Sequence, residues 1–307
     1  MIYTITFAPA IDYWIEINDF QLNQVNRFQN ANLYPGGKGI NAAIILKRHQ
    51  IKTTAISFFN QQSLELINHF LVQEDLVLEN IATEPLTRIN VKCYSTNNYF
   101  ELNGAKPEIN HDHLEQLFSL LNKIQPHDLV MIMGKVDHCI VLSVLEFLAQ
   151  KKIAFIIDTD STNNHQYLQY QPLVIKPNLF ELKTNYHFKI DNQNDLYHAM
   201  SLLQQQGAKY VIVSQGENGS VLLDHLGNFY QVTINCNNLK VASATGAGDS
   251  LIALFSALVH QGINVIDAFV YANAAAVGTV SQSWLGNQVL TEKYLAAVKI
   301  KLINCKS

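Results

Sequence analysis

Apolar positions along the chain switch repeatedly between two periods. Short runs rich in β-branched residues, such as 53–58 and 128–133, are each followed by a longer stretch with helical spacing, 61–72 and 138–150. That alternation predicts parallel strands joined by crossover helices, because a parallel pair needs a long connection to return to the same end of a sheet. Further strands are expected at 2–7, 153–158, 173–175 and 210–214, and further helices at 38–50, 193–206, 246–260 and 265–281. The fold class that follows is α/β, a doubly wound and mostly parallel sheet flanked by helices, built as one domain over residues 1–307.

Two regions break the rhythm. Residues 13–33 and 87–102 alternate along the chain, as in Tyr13-Trp14-Ile15-Glu16-Ile17 and Ile89-Asn90-Val91-Lys92-Cys93-Tyr94, and contain no crossover helix. They predict a small sheet standing off the main one, able to cover a site or to pair with a second copy of itself through its exposed face.

Composition narrows the function classes. A hydrophobic content of 48% lets 307 residues bury a large core, and a formal net charge of -4 offers no long-range attraction for nucleic acid or an anionic membrane. An anionic ligand must then be held by a few local cations. No apolar run approaches the roughly 20 residues of a membrane helix, and the first ten residues read as a strand, not a signal peptide. Cys93, Cys139, Cys236 and Cys305 form no Cys-x-x-Cys pair, which predicts neither structural zinc nor a disulfide framework and fits a reduced, cytoplasmic setting.

Candidate chemistry begins at Ala244-Thr245-Gly246-Ala247-Gly248-Asp249-Ser250, which precedes the apolar run 251–259. The glycines fall at the first turn of a helix, where unpaired amides and the helix dipole attract an anion and the missing Cβ lets a phosphate approach. A carboxylate beside such a site repels phosphate, so Asp249 must serve another purpose. The natural one is to take a proton from an attacking hydroxyl while Gly246, Ala247 and Gly248 stabilise the transferring group. A bare helix cap competes with that reading, since Asp and Gly are both favoured there.

A second glycine motif, Pro35-Gly36-Gly37-Lys38-Gly39-Ile40-Asn41, opens another helix. It lacks P-loop spacing but suits recognition of hydroxyls and anions by Gly36, Gly37, Lys38 and Asn41, with a bland loop-to-helix turn as the alternative. Asp12 closes the first strand region, where carboxylates bind sugar hydroxyls or simply make turns. Arg88 stands at the root of the second hairpin region with a fork suited to phosphate, although a solvated arginine is the commoner fate. Asn178 and Glu181 are three residues apart after Pro177, on one helix face, able to orient Mg²⁺ through its waters while Lys176 reaches a nucleotide phosphate; a first-turn acid favoured by the helix dipole is the alternative. Ser214, Gly216 and Gly219 end a strand in a tight turn, either a nucleotide rim or a plain hairpin.

Five segments occur in order: Pro-Gly-Gly-Lys-Gly-Ile-Asn at 35–41, Thr-Arg-Ile-Asn-Val-Lys at 87–92, Glu-Leu-Asn-Gly at 101–104, Lys-Pro-Asn-x-x-Glu at 176–181 and Gly-Ala-Gly-Asp-Ser at 246–250. Together they resemble the ribokinase-like carbohydrate kinases, the PfkB family, in its branch of 1-phosphofructokinases and tagatose-6-phosphate kinases, over about residues 2–280. The resemblance implies a central sheet with a β lid commonly shared in a homodimer. It implies Asp249 as catalytic base, Gly246, Ala247 and Gly248 as anion hole, and Asp12, Gly37, Lys38, Asn41 and Arg88 on the sugar phosphate. Arg27 matches a lid arginine for the same phosphate. ATP is implied along Lys176, Ser214, Gly216, Gly219 and the helix carrying Asn273, with Asn178 and Glu181 near Mg²⁺.

Three positions depart from that pattern. Ala8 replaces a polar residue of the first strand, Phe59-Asn60 replaces glycines after the second crossover strand, and Gly134-Lys135-Val136-Asp137 replaces Gly-Ser-Leu-Pro, putting the cation Lys135 where relatives touch substrate. The expected reaction is transfer from MgATP to the 6-hydroxyl of D-fructose 1-phosphate. A tagatose-6-phosphate kinase, another ketose phosphate kinase admitted by Lys135, and a catalytically weak sugar-phosphate sensor are the alternatives.

Overall fold

The structure is a computed structural model describing residues 1–95, 99–236 and 239–303, so residues 96–98 of the second hairpin region and Cys305 lie outside it. Its strands, in chain order, are β1 (Ile2–Thr6), β2 (Ala10–Glu16), β3 (Asn30–Gly36), β4 (Thr53–Ser57), β5 (Val77–Asn80), β6 (Ile89–Tyr94), β7 (Tyr99–Leu102), β8 (Leu129–Gly134), β9 (Ala154–Thr159), β10 (Val174–Ile175), β11 (Tyr210–Ser214), β12 (Ser220–Leu223), β13 (Phe229–Ile234) and β14 (Val298–Ile303). The main sheet runs β14-β13-β12-β11-β10-β9-β8-β1-β4-β5. Strands β5 through β11 of that order are parallel, and β12, β13 and β14 extend one edge antiparallel.

Both faces of the parallel part are covered, which is why its strands read as nearly continuous apolar runs. On one face, helix Lys38–Arg48 presses Ile40, Ile44 and Ile45 against β1, β4 and β8, and helices Ala247–His260 and Val265–Val280 pack beside it through Phe255 and Phe269. On the other face, helices His111–Leu121 and His138–Lys151 bury Leu117, Leu121, Val144 and Leu145 against Ile5, Ile56 and Ile132. Helix Gln193–Gln205 covers β11 and β12 with Leu196, Met200 and Leu203.

The small sheet has the order β3-β2-β6-β7, with β2 and β6 parallel and the two outer pairs antiparallel. Its first hairpin is longer than the 13–33 expected, because Ala10 pairs with Gly36 and carries the sheet down to the glycine turn. The expected helix 61–72 is two helices, Gln61–Glu65 and Asn68–Gln73, interrupted at Ile67 with φ -114° and ψ 0°. Asn60, one of the residues standing where glycine was expected, caps the first of them by accepting from the Ser63 amide at 3.2 Å.

The hairpin β11–β12 turns through Gly216 and Gly219, both at positive φ. A Cβ on Gly219 would lie 2.1 Å from the Val232 carbonyl oxygen, whereas one on Gly216 would meet nothing within 4 Å. Gly219→Ala is therefore expected to cost about 3 kcal/mol or more, and Gly216→Ala about 1 kcal/mol from its backbone conformation alone. Urea unfolding of the two variants side by side checks the ordering.

Candidate active site

The carboxyl ends of the parallel strands, where ligands gather in open α/β sheets, are flanked by two helix starts. Helix Lys38–Arg48 begins after Gly37 at φ 108°, and helix Ala247–His260 after Gly246 at φ 81°; neither has a side-chain cap. Glycine is required at both. A Cβ on Gly37 would strike Thr6 Cγ2 at 2.7 Å, and one on Gly246 would strike Leu285 Cδ2 at 2.4 Å. First-turn amides at both helices are thus available to a ligand, except that of Ala247, which already donates to the Ala244 carbonyl at 3.4 Å.

Asp249, in the first turn of the second helix, is buried and lines the cavity between the two sheets. Its Oδ2 accepts a 2.8 Å hydrogen bond from Asn41 Nδ2, so the carboxylate is held by the first helix and does not cap its own. Gly246 is the N-cap of this helix, and Asp249 supplies no side-chain cap to it. Burial, reinforced by the charge of Asp158, pushes the Asp249 carboxyl up to about 6, against the opposing pull of Lys38, Asn41 and Lys176.

Those charges form a compact group. Lys38 Nζ lies 3.2 Å from Asp158 Oδ1 and 2.8 Å from Asp160 Oδ1, and Lys176 Nζ lies 3.6 Å from Asp158 Oδ2. Burial alone would lower the Lys38 pKa, but Asp158, Asp160 and Asp249 outweigh it and hold the ammonium charged. Asp158 shows the converse: burial raises its pKa, and Lys176 and Lys38 overcome that and keep it ionised. A Cβ on Gly248 would sit 3.1 Å from Lys176 Nζ, so this buried ammonium hangs over the glycine turn.

Across the cleft, Asp12 accepts from Asn90 Nδ2 at 2.8 Å and pairs with Lys92 Nζ at 3.0 Å. Gly36 is packed beneath it, since a Cβ there would lie 2.6 Å from Asp12 Cγ. Arg88 donates to the carbonyl oxygens of Ala8 at 2.8 Å, Pro9 at 3.2 Å and Gly104 at 3.3 Å. The cavity, about 1310 Å³, brings Asp12, Gly37, Lys38, Asn41, Arg88, Lys135, Asn178, Gly246 and Asp249 onto one surface from segments spread over the whole chain.

Other expected site residues are placed differently. Arg27 is exposed and does not line this cavity. Asn273 is buried, accepts from Ser220 Oγ at 2.7 Å and donates to the Phe269 carbonyl at 2.8 Å, which makes it a clamp between a helix and β12. Ser214, Gly216 and Gly219 belong to the β11–β12 hairpin, beside strand β10, which Lys176 directly follows. Asn178 and Glu181 cap helix Leu179–Thr184 reciprocally, each accepting the other's amide at 2.8 Å.

Among the described residues no group of three or more His, Cys, Asp or Glu side chains stands close enough to hold a metal directly. The donor set does fit a hydrated divalent cation: Asp158 Oδ2 is buried without a hydrogen-bond partner, and Glu181 is pushed up by burial and by the nearby Asp158 charge. Asp158 and Asp160 lie outside the sequence motifs, and Asn90 and Lys92, although inside the 87–92 segment, are given no role there. The last two were legible, because the two-residue period of a strand puts Arg88, Asn90 and Lys92 on one face; the aspartates gave no signal beyond their position at the end of an apolar run.

Residues 6–291 match the family model for pfkB family carbohydrate kinases. The chain is 29% identical to a 1-phosphofructokinase of Bacillus subtilis (strain 168), covering 98% of this chain and 99% of that one. It is 28% identical to a D-tagatose-1-phosphate kinase of Bacillus licheniformis, again over 98% of this chain and 99% of the other. The crystal structure of phosphofructokinase-2 from Escherichia coli in complex with fructose-6-phosphate has the same fold, with a TM-score of 0.87 at 22% identity over 96% of this chain and 98% of that one. On the strength of that match and of the site the two glycine turns build, the chain belongs to the pfkB family of carbohydrate kinases, phosphotransferases whose acceptor is an alcohol group.

Proposed function

We propose that this enzyme transfers the terminal phosphoryl group of ATP to the 6-hydroxyl of D-fructose 1-phosphate, giving fructose 1,6-bisphosphate. The observation that carries the reading is Asp249, a buried carboxylate oriented by Asn41 at the start of an uncapped helix. Asp249 accepts the hydroxyl proton, and the amides of the 246–248 turn, with Ala247 released from the Ala244 carbonyl, meet the charge that develops on the transferring group. Asn41 occupies one carboxylate oxygen and leaves the other for the acceptor. Asp12, with Asn90 and Lys92 fixing it, orients sugar hydroxyls opposite.

ATP is read as lying along Lys176 and the Ser214–Gly219 turn, so that its phosphates meet the ammonium above Gly248. Mg²⁺, held through water by Asp158, Asn178 and Glu181, supplies neutralising charge when bound. The small sheet acts as a lid inserted into a single kinase domain and excludes water, because an open site wastes ATP by hydrolysis. Exposed Ile89 on β6, with Leu22, Val25 and Phe28 in the connection between β2 and β3, supports a homodimer formed through that sheet.

A second acceptor, a tagatose phosphate, is favoured by the D-tagatose-1-phosphate kinase relative, whose similarity to this chain nearly equals that of the 1-phosphofructokinase. Tagatose differs from fructose only in the configuration of one hydroxyl, so the same phosphate and base geometry serves either. A coupled ADP-release assay with ATP and fructose 1-phosphate, tagatose 1-phosphate, tagatose 6-phosphate, fructose 6-phosphate and ribose separates the readings. Fructose 1-phosphate is expected to have the highest kcat/KM. A tagatose phosphate in first place installs the second reading, and ligand binding without ADP release from any of them would support a sensor instead.

A further inference from the structure

Cations lining the main cavity are Lys38, Arg88, Lys92, Lys135 and Lys240. Three are already engaged: Lys38 by Asp158 and Asp160, Lys92 by Asp12, and Arg88 by three backbone carbonyls. Asp137, two residues beyond Lys135, is ion-paired with Lys106 and so does not neutralise its neighbour. Lys135 and Lys240 are left without a carboxylate or carbonyl partner among the described residues. The same surface carries the acids Asp12, Glu16, Glu101, Asp160 and Asp249.

A phosphate monoester is close to a dianion at pH 7–8, its second pKa being about 6. Brought into this cavity it meets acids on all sides, and the engaged cations must give up existing partners before they can help. An unpaired, exposed lysine needs no such exchange. Lys135 leaves the sheet at the carboxyl end of β8, directly after Gly134, whose φ is 86° and where a Cβ would stand 4.0 Å from Lys38 Cβ. It therefore stands beside the helix start that also carries Asn41, on the lining of the same cavity as Asp249.

We propose that Lys135 is a specificity-determining residue that binds the phosphate of the acceptor and so selects phosphorylated over neutral ketohexoses. The inference rests on the reading of the enzyme as a sugar-phosphate kinase. It also gives a role to the departure Gly134-Lys135-Val136-Asp137: a cation stands where a hydroxyl side chain was expected, and the acid that would cancel it is tied up elsewhere.

Lys135 is exposed, so its substitution leaves the fold intact, which a thermal melt verifies. In Lys135→Met and Lys135→Ser the KM for fructose 1-phosphate is expected to rise ten- to a hundredfold, with kcat within about threefold and KM for ATP unchanged. Preference for fructose 1-phosphate over fructose should fall by the same factor, and Lys135→Arg should recover part of it. Raising KCl to about 0.3 M should raise the wild-type KM for fructose 1-phosphate but act much less on Lys135→Met. An unchanged KM and salt response in Lys135→Met, equal losses for phosphorylated and neutral acceptors, or the phosphate-specific loss appearing in Lys240→Met instead would each overturn the inference. Wild-type enzyme that phosphorylates no sugar phosphate would overturn the function reading and this inference together, whereas wild-type turnover with an unaltered Lys135→Met variant overturns the inference alone.

Discussion

Asp249→Asn is expected to lower kcat by about a thousandfold or more while leaving the dissociation constant for the sugar phosphate within a fewfold of wild type. Asn is nearly isosteric, and its amide oxygen still accepts from Asn41 Nδ2, so the loss falls on proton transfer and not on the shape of the site. Retention of more than a tenth of the wild-type turnover would remove Asp249 from the role of base. The same substitution has a signed effect on stability. Burial and Asp158 raise the folded-state carboxyl from its ordinary value to about 6, so the folded protein favours the neutral form. That contribution is fully present below pH 4 and is lost as pH rises through 6. Asn imitates the neutral acid, so the variant should be more stable than wild type at pH 8, by on the order of 1–3 kcal/mol, with the difference vanishing near pH 4. In the wild type, kcat/KM should rise through an acid limb near pH 6 as the base ionises.

Lys38→Met should have the second largest effect, and it acts through the electrostatics of the group. Lys38 is one of the two cations holding Asp158 ionised, and it opposes the upward shift of Asp249. Its loss leaves buried Asp158 with Lys176 alone at 3.6 Å, and leaves Asp160 without its partner. The acid limb of the pH profile should move upward by about one unit, and kcat/KM at pH 7 should fall by roughly tenfold to a hundredfold, about twofold of it from that movement and the rest from losing the ammonium beside the reacting groups. Stability should fall by about 2 kcal/mol, less than for a fully buried pair because the lysine is partly exposed. A pH profile whose acid limb stays in place would show that Lys38 does not tune Asp249.

Several features of the site were legible in single segments. Helix starts at 38 and 247 are written into their glycines, since only a residue without a Cβ takes φ 108° against Thr6 or φ 81° against Leu285. The same local logic located Asp249, Asn41 and Lys38. It does not reach the partners that come from elsewhere in the chain. Arg88 offers the same fork to phosphate or to carbonyls, and the path of 8–9 and 104 decided for the carbonyls. Asn273 lies on a helix that its apolar period predicts, but its amide is committed to Ser220 on a strand that carries no motif. Strand β5, helix His111–Leu121 and strand β14 were not anticipated, because edge strands with polar alternation and a helix begun by Asn110 resemble loops until the sheet they cover is known.

Local sequence was enough for the alternation of strands and helices, the two glycine-opened helix starts and the acid placed in the second of them. These depend on backbone conformation and on periods of two and 3.6 residues, which neighbouring residues settle among themselves. It took the packed chain to establish that Asn41 holds Asp249 across 208 residues of chain, that Asp158 gathers Lys38 and Lys176 while Asp160 pairs with Lys38, and that Lys135 has no ion-pair partner among the described residues. Hydrogen-bond partners, burial and the pKa of a carboxylate are properties of where crossovers return the chain, and that depends on packing the whole sheet.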